Sequence, residues 1–227
     1  MNFGIYVARS ARHWPDQAAV LFRDQVLTYR QLEEQSNRLA HALQSQGLRK
    51  GDRVAIVSPN RPEIVVAECA FYKLGLVKVA LNARLSPQEL EDALDNAEPV
   101  ACLAAPSHRP MLQAMRDRLP SLRHWLAWDC TEADRQNGWL DAAALMAQAD
   151  SAHIHIDLGS DDLAVLHYTS GSTGKLKAAM QTMGNRMTSL RKVIMGRMQS
   201  NGNDVMLLVG PITHASGMFI QAMLFQG

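Results

Sequence analysis

What the 227-residue sequence lacks narrows its roles first. Nowhere do about eighteen apolar residues follow one another, the run that a membrane-crossing helix needs. The amino terminus, MNFGIYVARSARHW, reaches Arg9, Arg12 and His13 before an apolar stretch long enough for a secretory signal has formed. Neither a membrane span nor export is expected. An excess of one charge is also missing, since 23 Lys and Arg stand against 22 Asp and Glu, a net +1. That balance leaves no positive surplus to neutralise a nucleic-acid backbone or to coat an anionic membrane. Cysteine is scarce: Cys69, Cys102 and Cys130 are odd in number, far apart and without a Cys-x-x-Cys pair. They fit neither a disulfide framework nor a zinc site, and a reducing cytoplasm is the expected setting. Linkers, internal repeats and low-complexity tracts are likewise absent.

What is present suits a packed interior. Hydrophobic residues make up 47% of the chain and charged residues 20%, enough apolar material for a sizeable core. One large α/β domain over residues 1–227 is expected. From Val26 onward short apolar runs alternate with longer segments of helical period, the pattern of a mainly parallel sheet covered by helices. Thr28 and Gln31 have capping-box spacing, and Leu32, Leu39, Ala40 and Leu43 recur on one helical face until Gly47. Residues 53–58 read as a buried strand, and Pro62 starts a helix that runs to about Gly75. Residues 76–81 form the next strand, and Ser86-Pro87-Gln88-Glu89 combines an N-cap with a first-turn proline. A third round predicts strands over 100–104 and 124–128 around a helix over 111–118. Residues 129–138 read as a polar loop and 139–149 as a helix. Residues 162–168 and 176–181 read as strands, 183–198 as a Met-rich helix, and 204–209 as a final strand.

The densest chemistry lies in Tyr168-Thr169-Ser170-Gly171-Ser172-Thr173-Gly174-Lys175-Leu176-Lys177. Glycines let backbone N–H groups approach an anion, the short hydroxyls add donors, and the lysines add charge. Together they describe a cradle for a polyphosphate, the electrostatic work that phosphoryl and nucleotidyl transfer demand. A solvated turn accounts for Ser, Thr and Gly but for neither lysine. The Walker A loop matches only at Gly174-Lys175. Thr169 occupies its first Gly position, Leu176 its magnesium-binding hydroxyl, and a strand is expected after the loop in place of a helix.

YTSGSTGKLK resembles the signature loop of the adenylate-forming superfamily of acyl-CoA synthetases, luciferases and peptide-synthetase adenylation domains. That loop usually ends Lys-Pro-Lys-Gly, and Leu176 and Ala178 take the Pro and Gly places here. Downstream, Pro211-Ile212-Thr213-His214-Ala215-Ser216-Gly217 resembles the family's Pro-x-x-His-x-x-Gly segment, which lines the acyl pocket. LTYRQLEEQSNRLAHAL, GDRVAIVSPN and Leu74-Gly75 resemble its amino-terminal subdomain. The resemblance, closest to the N-terminal part of a fatty-acid–CoA ligase, implies a truncated N-terminal subdomain of mainly parallel α/β fold. It implies that a carboxylate attacks the α-phosphate of Mg2+-bound ATP to give acyl-AMP and pyrophosphate, with coenzyme A then taking the acyl group. Thr169, Ser170, Gly171, Ser172, Thr173, Gly174 and Lys175 would hold the phosphates, with Lys175 and His214 catalytic. His214, Ser216, Gly217 and Met218 would line the acyl pocket, Phe219 could touch the acyl chain, and Lys177 would assist electrostatically. No metal ligand is assigned within the chain.

The family's adenine-binding segment, magnesium-holding Thr-Glu pair, ribose-binding Asp and mobile C-terminal domain fall beyond residue 227. Residues 1–227 alone are therefore expected to be nearly inactive, with apolar positions and a strand edge exposed for self-association, giving a possible homo-oligomer. Two other readings stay open: a P-loop-type nucleotide hydrolase, and a non-catalytic binding module on the same scaffold. Among the remaining candidates, His153 and His155 alternate as on a strand, without a carboxylate or Cys at ligand spacing, and a solvent-facing role is expected. Met180, Met183, Met187, Met195 and Met198 read as core fillers, and Cys69 and Cys102 as small core residues.

Overall fold

A computed structural model describes residues 2–170, 176–196, 200–213 and 216–226, of which 169, 170 and 176 are described by their backbone alone. The chain opens with α1 (Gly4–His13) and an antiparallel hairpin of β1 (Ala18–Phe22) and β2 (Gln25–Thr28). The sequence reading found neither α1 nor β1. The face that α1 buries is made of Gly4, Val7 and Ser10, too small and polar to leave an apolar period.

The alternation then proceeds through α2 (Tyr29–Ser45), β3 (Arg53–Val57), α3 (Pro62–Leu74), β4 (Val77–Ala80), α4 (Pro87–Ala97), β5 (Ala101–Ala104), α5 (Arg109–Met115) and β6 (His124–Ala127). Its punctuation is local. Gln31 donates its N–H to Thr28 Oγ1 at 3.3 Å, while its side chain accepts from Thr28 N–H at 2.9 Å. Ser86 and Glu89 repeat this capping box at the start of α4. Gly75 closes α3 at φ 71, and a Cβ there would come within 2.9 Å of Leu158. Only glycine meets both conditions cheaply.

Two expectations fail in the next stretch. Residues 129–138 contain α6 (Glu132–Gln136), because Thr131 and Asp134 form a third capping box within the polar run. The helix expected over 139–149 is shorter. Leu140 and Asp141 form β7 (Leu140–Asp141), which pairs with β6, and Asp141 then caps α7 (Ala142–Gln148) through Ala144 N–H at 3.1 Å. The described part of the chain continues with β8 (Leu163–Ser170), β9 (Leu176–Thr182), α8 (Met183–Gly196) and α9 (Gly217–Gln226).

The main sheet has the order β7-β6-β5-β3-β4-β8-β9, and its described pairs are parallel except β8 with β9. Its central strands are buried on both faces, which is why they read as continuous apolar runs. On one face Leu32, Leu39, Ile56, Ile64 and Phe71 pack with α1, α2, α3, α8 and α9. On the other, Val57, Val79, Leu90, Leu94 and Trp125 pack with α4 and α5. Cys69 and Cys102 are core residues as expected. The methionines divide: Met183 and Met187 are buried, whereas Met180 and Met195 lie exposed, and Met198 is outside the described residues.

Residues 204–209 do not form the expected strand. Their burial still alternates, with Met206 and Leu208 half-buried and Val205, Leu207 and Val209 at 77%, 83% and 89% exposure. The sequence period specifies an extended backbone, but a strand exists only when paired, and no described strand pairs here. Exposed apolar positions were expected, and this stripe supplies them.

Candidate active site

In open sheets of parallel strands, ligands collect at the carboxyl ends. β8 runs parallel to β4 and returns through β9, with Tyr168 opposite Ala178, Thr169 opposite Lys177 and Ser170 opposite Leu176. The described ends of the hairpin, Ser170 and Leu176, therefore lie at the carboxyl edge. Gly171, Ser172, Thr173, Gly174 and Lys175, with the side chains of Thr169 and Ser170, lie outside the described residues. Their flanks are well anchored. Tyr168 is buried and donates its hydroxyl to Asn96 Oδ1 of α4 at 2.7 Å, and burial pushes its phenol pKa up. Lys177 is exposed and stands directly opposite Thr169 in the backbone register of the hairpin. A strand follows the loop, and this removes the Walker A geometry, which needs a helix N-terminus there.

The second segment reaches the same edge through a residue to which the sequence reading gave no role. Asn60, just past the carboxyl end of β3, donates from Nδ2 to Gly210 O at 2.9 Å and accepts Ile212 N–H at 2.9 Å. Its one available signal was the Ser-Pro-Asn stop after a buried strand. β3 and β8 flank β4, which puts the two carboxyl ends about 10 Å apart. Beyond Asn60 the chain turns tightly. A Cβ on Gly217 would lie 2.1 Å from Ile212 O, and one on Gly210 would lie 2.3 Å from Ser216 Oγ. Gly217 thus has a packing reason to be glycine, apart from any substrate. Thr213 is buried, Ser216, Met218 and Phe219 are half-buried, and His214 lies outside the described residues.

The histidine pair is solvent-facing as expected, but its setting differs. His153 and His155 are not on a strand; they lie in an irregular strap across α2, their rings 5.7 Å apart. The fold brings in the carboxylate that sequence spacing did not show: His153 Nδ1 is 3.0 Å from Glu33 Oε1. Glu33 Oε2 also holds the buried Lys73 ammonium at 2.7 Å, and Lys73 bonds Ser36 Oγ and Asn37 Oδ1 as well. Burial lowers the Lys73 pKa, and Glu33 opposes that shift. A groove of about 620 Å³ between α1 and α2 lies beside this cluster. It sits toward the end of α3 that leads into β4, the amino edge of the sheet. Three of its charged wall residues are paired, Arg30 with Asp16, Glu34 with Arg38 and Glu33 with Lys73. Among the described residues no three His, Cys, Asp or Glu side chains gather to hold a metal, and no helix is long and apolar enough to cross a membrane.

Comparison with known proteins shows the family. The family described as AMP-binding enzyme matches residues 7–227. Feruloyl-CoA synthase of an Amycolatopsis species is 32% identical over 221 residues, which are 96% of this chain and 40% of that protein. A Mycobacterium marinum medium/long-chain-fatty-acid–CoA/3-oxocholest-4-en-26-oate–CoA ligase is 34% identical over 172 residues, 73% of this chain and 31% of that one. The chain thus spans well under half the length of either relative. Among solved structures, the inhibitor-bound N-terminal domain of FACL13 from Mycobacterium tuberculosis superimposes with a TM-score of 0.88 at 26% identity, covering 100% of this chain and 55% of that one. The chain belongs to the AMP-binding enzyme family, the adenylate-forming enzymes whose loop its own loop resembles.

Proposed function

We propose that residues 1–227 are the leading part of the large AMP-binding domain of an acyl-CoA ligase. The whole protein activates a carboxylic acid, of fatty type, as acyl-AMP at the expense of Mg2+-bound ATP and passes the acyl group to coenzyme A. The observation that carries this reading is that the hairpin of β8 and β9, whose sequence between the strands is rich in hydroxyls and lysine, ends at the carboxyl edge where Asn60 holds Gly210 and Ile212.

The chemistry follows from charge. When the acid's carboxylate oxygen attacks the α-phosphorus, the P–O bond to pyrophosphate breaks and negative charge collects on the leaving group. Backbone amides and hydroxyls of 169–174 with the Lys175 ammonium stabilise that charge, and they do so more as it grows. His214, with Ser216 and Met218 nearby in sequence, faces the acid. Magnesium arrives with the nucleotide as part of the substrate. The relatives' names, feruloyl-CoA synthase and fatty-acid–CoA ligase, support coenzyme A as acceptor. A cytoplasmic setting agrees with the three free thiols.

The test is ATP–pyrophosphate exchange against a panel of fatty and aryl acids, run on the longest natural polypeptide that carries these residues. Exchange that depends on one acid class and falls about a hundredfold or more in Lys175→Ala supports the reading. Exchange indifferent to Lys175 defeats it. Residues 1–227 alone should show almost none.

A further inference from the structure

A second cluster of buried charge is absorbed neither by the fold's own needs nor by the loop. Glu68 and Tyr72 of α3, Lys78 of β4, Arg186 of α8 and Gln221 of α9 are each 5% exposed or less. Four donors converge on one carboxylate oxygen: Lys78 Nζ at 2.9 Å, Tyr72 Oη at 3.1 Å, Gln221 Nε2 at 3.1 Å and Arg186 Nη2 at 3.4 Å from Glu68 Oε1. The Tyr72 hydroxyl in turn accepts from Arg186 Nη2 at 2.9 Å and from Gln221 Nε2. Two buried cations face a single buried anion, and Arg186 Nε has no hydrogen-bond partner among the described residues.

Such an arrangement is costly to bury, and apolar side chains of similar volume would hold the helices together as well or better. What apolar packing does not supply is direction: an ion pair with shared hydrogen bonds fixes the elements that meet at it in one register. The elements that meet here are telling. Arg186 stands in the first turn of α8, four residues past the end of β9, which leaves the 171–175 loop. Gln221 stands in the second turn of α9, which leaves the 211–217 segment through Gly217. Lys78 lies on β4, between β3 with its Asn60 and β8 that enters the loop. One carboxylate is thereby bonded to the two helices that follow the candidate segments and to the strand between β3 and β8.

We propose that Glu68 is a positioning residue which, through Arg186 and Gln221, fixes the phosphate loop's hairpin and the acyl segment relative to each other, so that nucleotide and acid meet in reacting geometry. The inference rests on the acyl-CoA ligase reading above and adds to it a residue that touches no substrate. Misplacement of reacting groups by about 1 Å costs up to about a hundredfold in rate with little change in ground-state binding. Loss of the network therefore appears in kcat.

The experiment is acid-dependent ATP–pyrophosphate exchange by the longest natural polypeptide, comparing wild type with Gln221→Met, Tyr72→Phe and their double variant. These substitutions keep volume and leave the buried charges in place, so folding survives, as a thermal melt checks. The expected result is a fall in kcat of about tenfold or more in Gln221→Met, with KM for ATP and for the acid within about twofold of wild type. The double variant should be little worse than the weaker single one, because both break one network. Unchanged kcat beside a lowered melting temperature overturns the inference and leaves the functional reading standing. Absence of exchange by the wild type with every acid overturns the functional reading and this inference with it.

Discussion

Lys73 and Glu68 stand five residues apart on α3, both buried, both charged, and they hold opposite kinds of company. Lys73 meets one carboxylate, Glu33, and the neutral oxygens of Ser36 and Asn37, all on α2. Its charge is balanced and its reach is a single helix pair. Glu68 meets two cations and reaches β4, α8 and α9. Its charge is over-compensated and its reach is the delivery side of the candidate site. A buried ion pair by itself says little about stability. What separates the two is the set of elements each joins: the first staples two helices of the scaffold, the second ties α3 to β4 and to the helices that follow the two candidate segments.

The comparison can be broken most forcefully at Glu68. Glu68→Leu leaves the Lys78 and Arg186 cations buried against each other, and the expected loss is about 3–5 kcal/mol in a urea titration; a loss under about 1 kcal/mol would show the cluster to be dispensable. The pH dependence has a definite sign. Burial tends to raise the Glu68 pKa, but Lys78 and Arg186 outweigh it and hold the carboxyl below its usual 4.5. Its stabilisation is therefore present above pH 4.5 and lost as pH falls through the lower folded value. The gap between wild type and Glu68→Gln should close below pH 4.5, and a constant gap would contradict the assignment.

Lys73→Met should cost less, about 2 kcal/mol, because Glu33 lies at the rim and regains water when the ammonium is gone. Equal costs at the two sites would erase the distinction. Ser86→Ala touches neither cluster and removes only a helix cap, for about 1 kcal/mol, which sets the scale of an ordinary local contact. The smallest effect on stability, and the sharpest on mechanism, belongs to Cys69, which neighbours both clusters. Burial first, then the balance of Lys73, Glu68 and Glu33, pushes its thiol up to about 12. At pH 8 an alkylating reagent should modify Cys130 and spare Cys69 and Cys102. If Cys69 becomes reactive in Glu68→Gln but not in Lys73→Met, opening is confined to the site-facing cluster.

Legibility in the sequence followed the physics of each element. The repeated βα units were plain because two-sided burial gives unbroken apolar runs, as in Arg53–Val57, and because Thr28, Ser86 and Gly75 mark helix ends by residue type alone. α1 was hidden because its buried face is small and polar, and α6 because a capping box inside a polar run resembles a turn. The stripe at 204–209 misled for the opposite reason: its period is right, but pairing is a property of two segments. At the candidate site, loop composition singled out residues 168–177 for phosphate chemistry as an expectation, whereas Asn60, Glu68 and Arg186 stayed invisible. Each has a partner more than 110 residues away in the chain, as Arg186 does with Glu68, at a separation of 118.

The stripe of Val205, Leu207 and Val209 carries one more implication. Natural sheet margins are guarded by lysines, prolines or bulges, which repel a stray strand before it can add itself. Between Asp204 and Gly210 there is no charge and no proline, so the gatekeepers stand only at the two ends, Asp204 and Pro211. A lysine introduced at 207 is the least invasive way to place a guard in the middle of that margin.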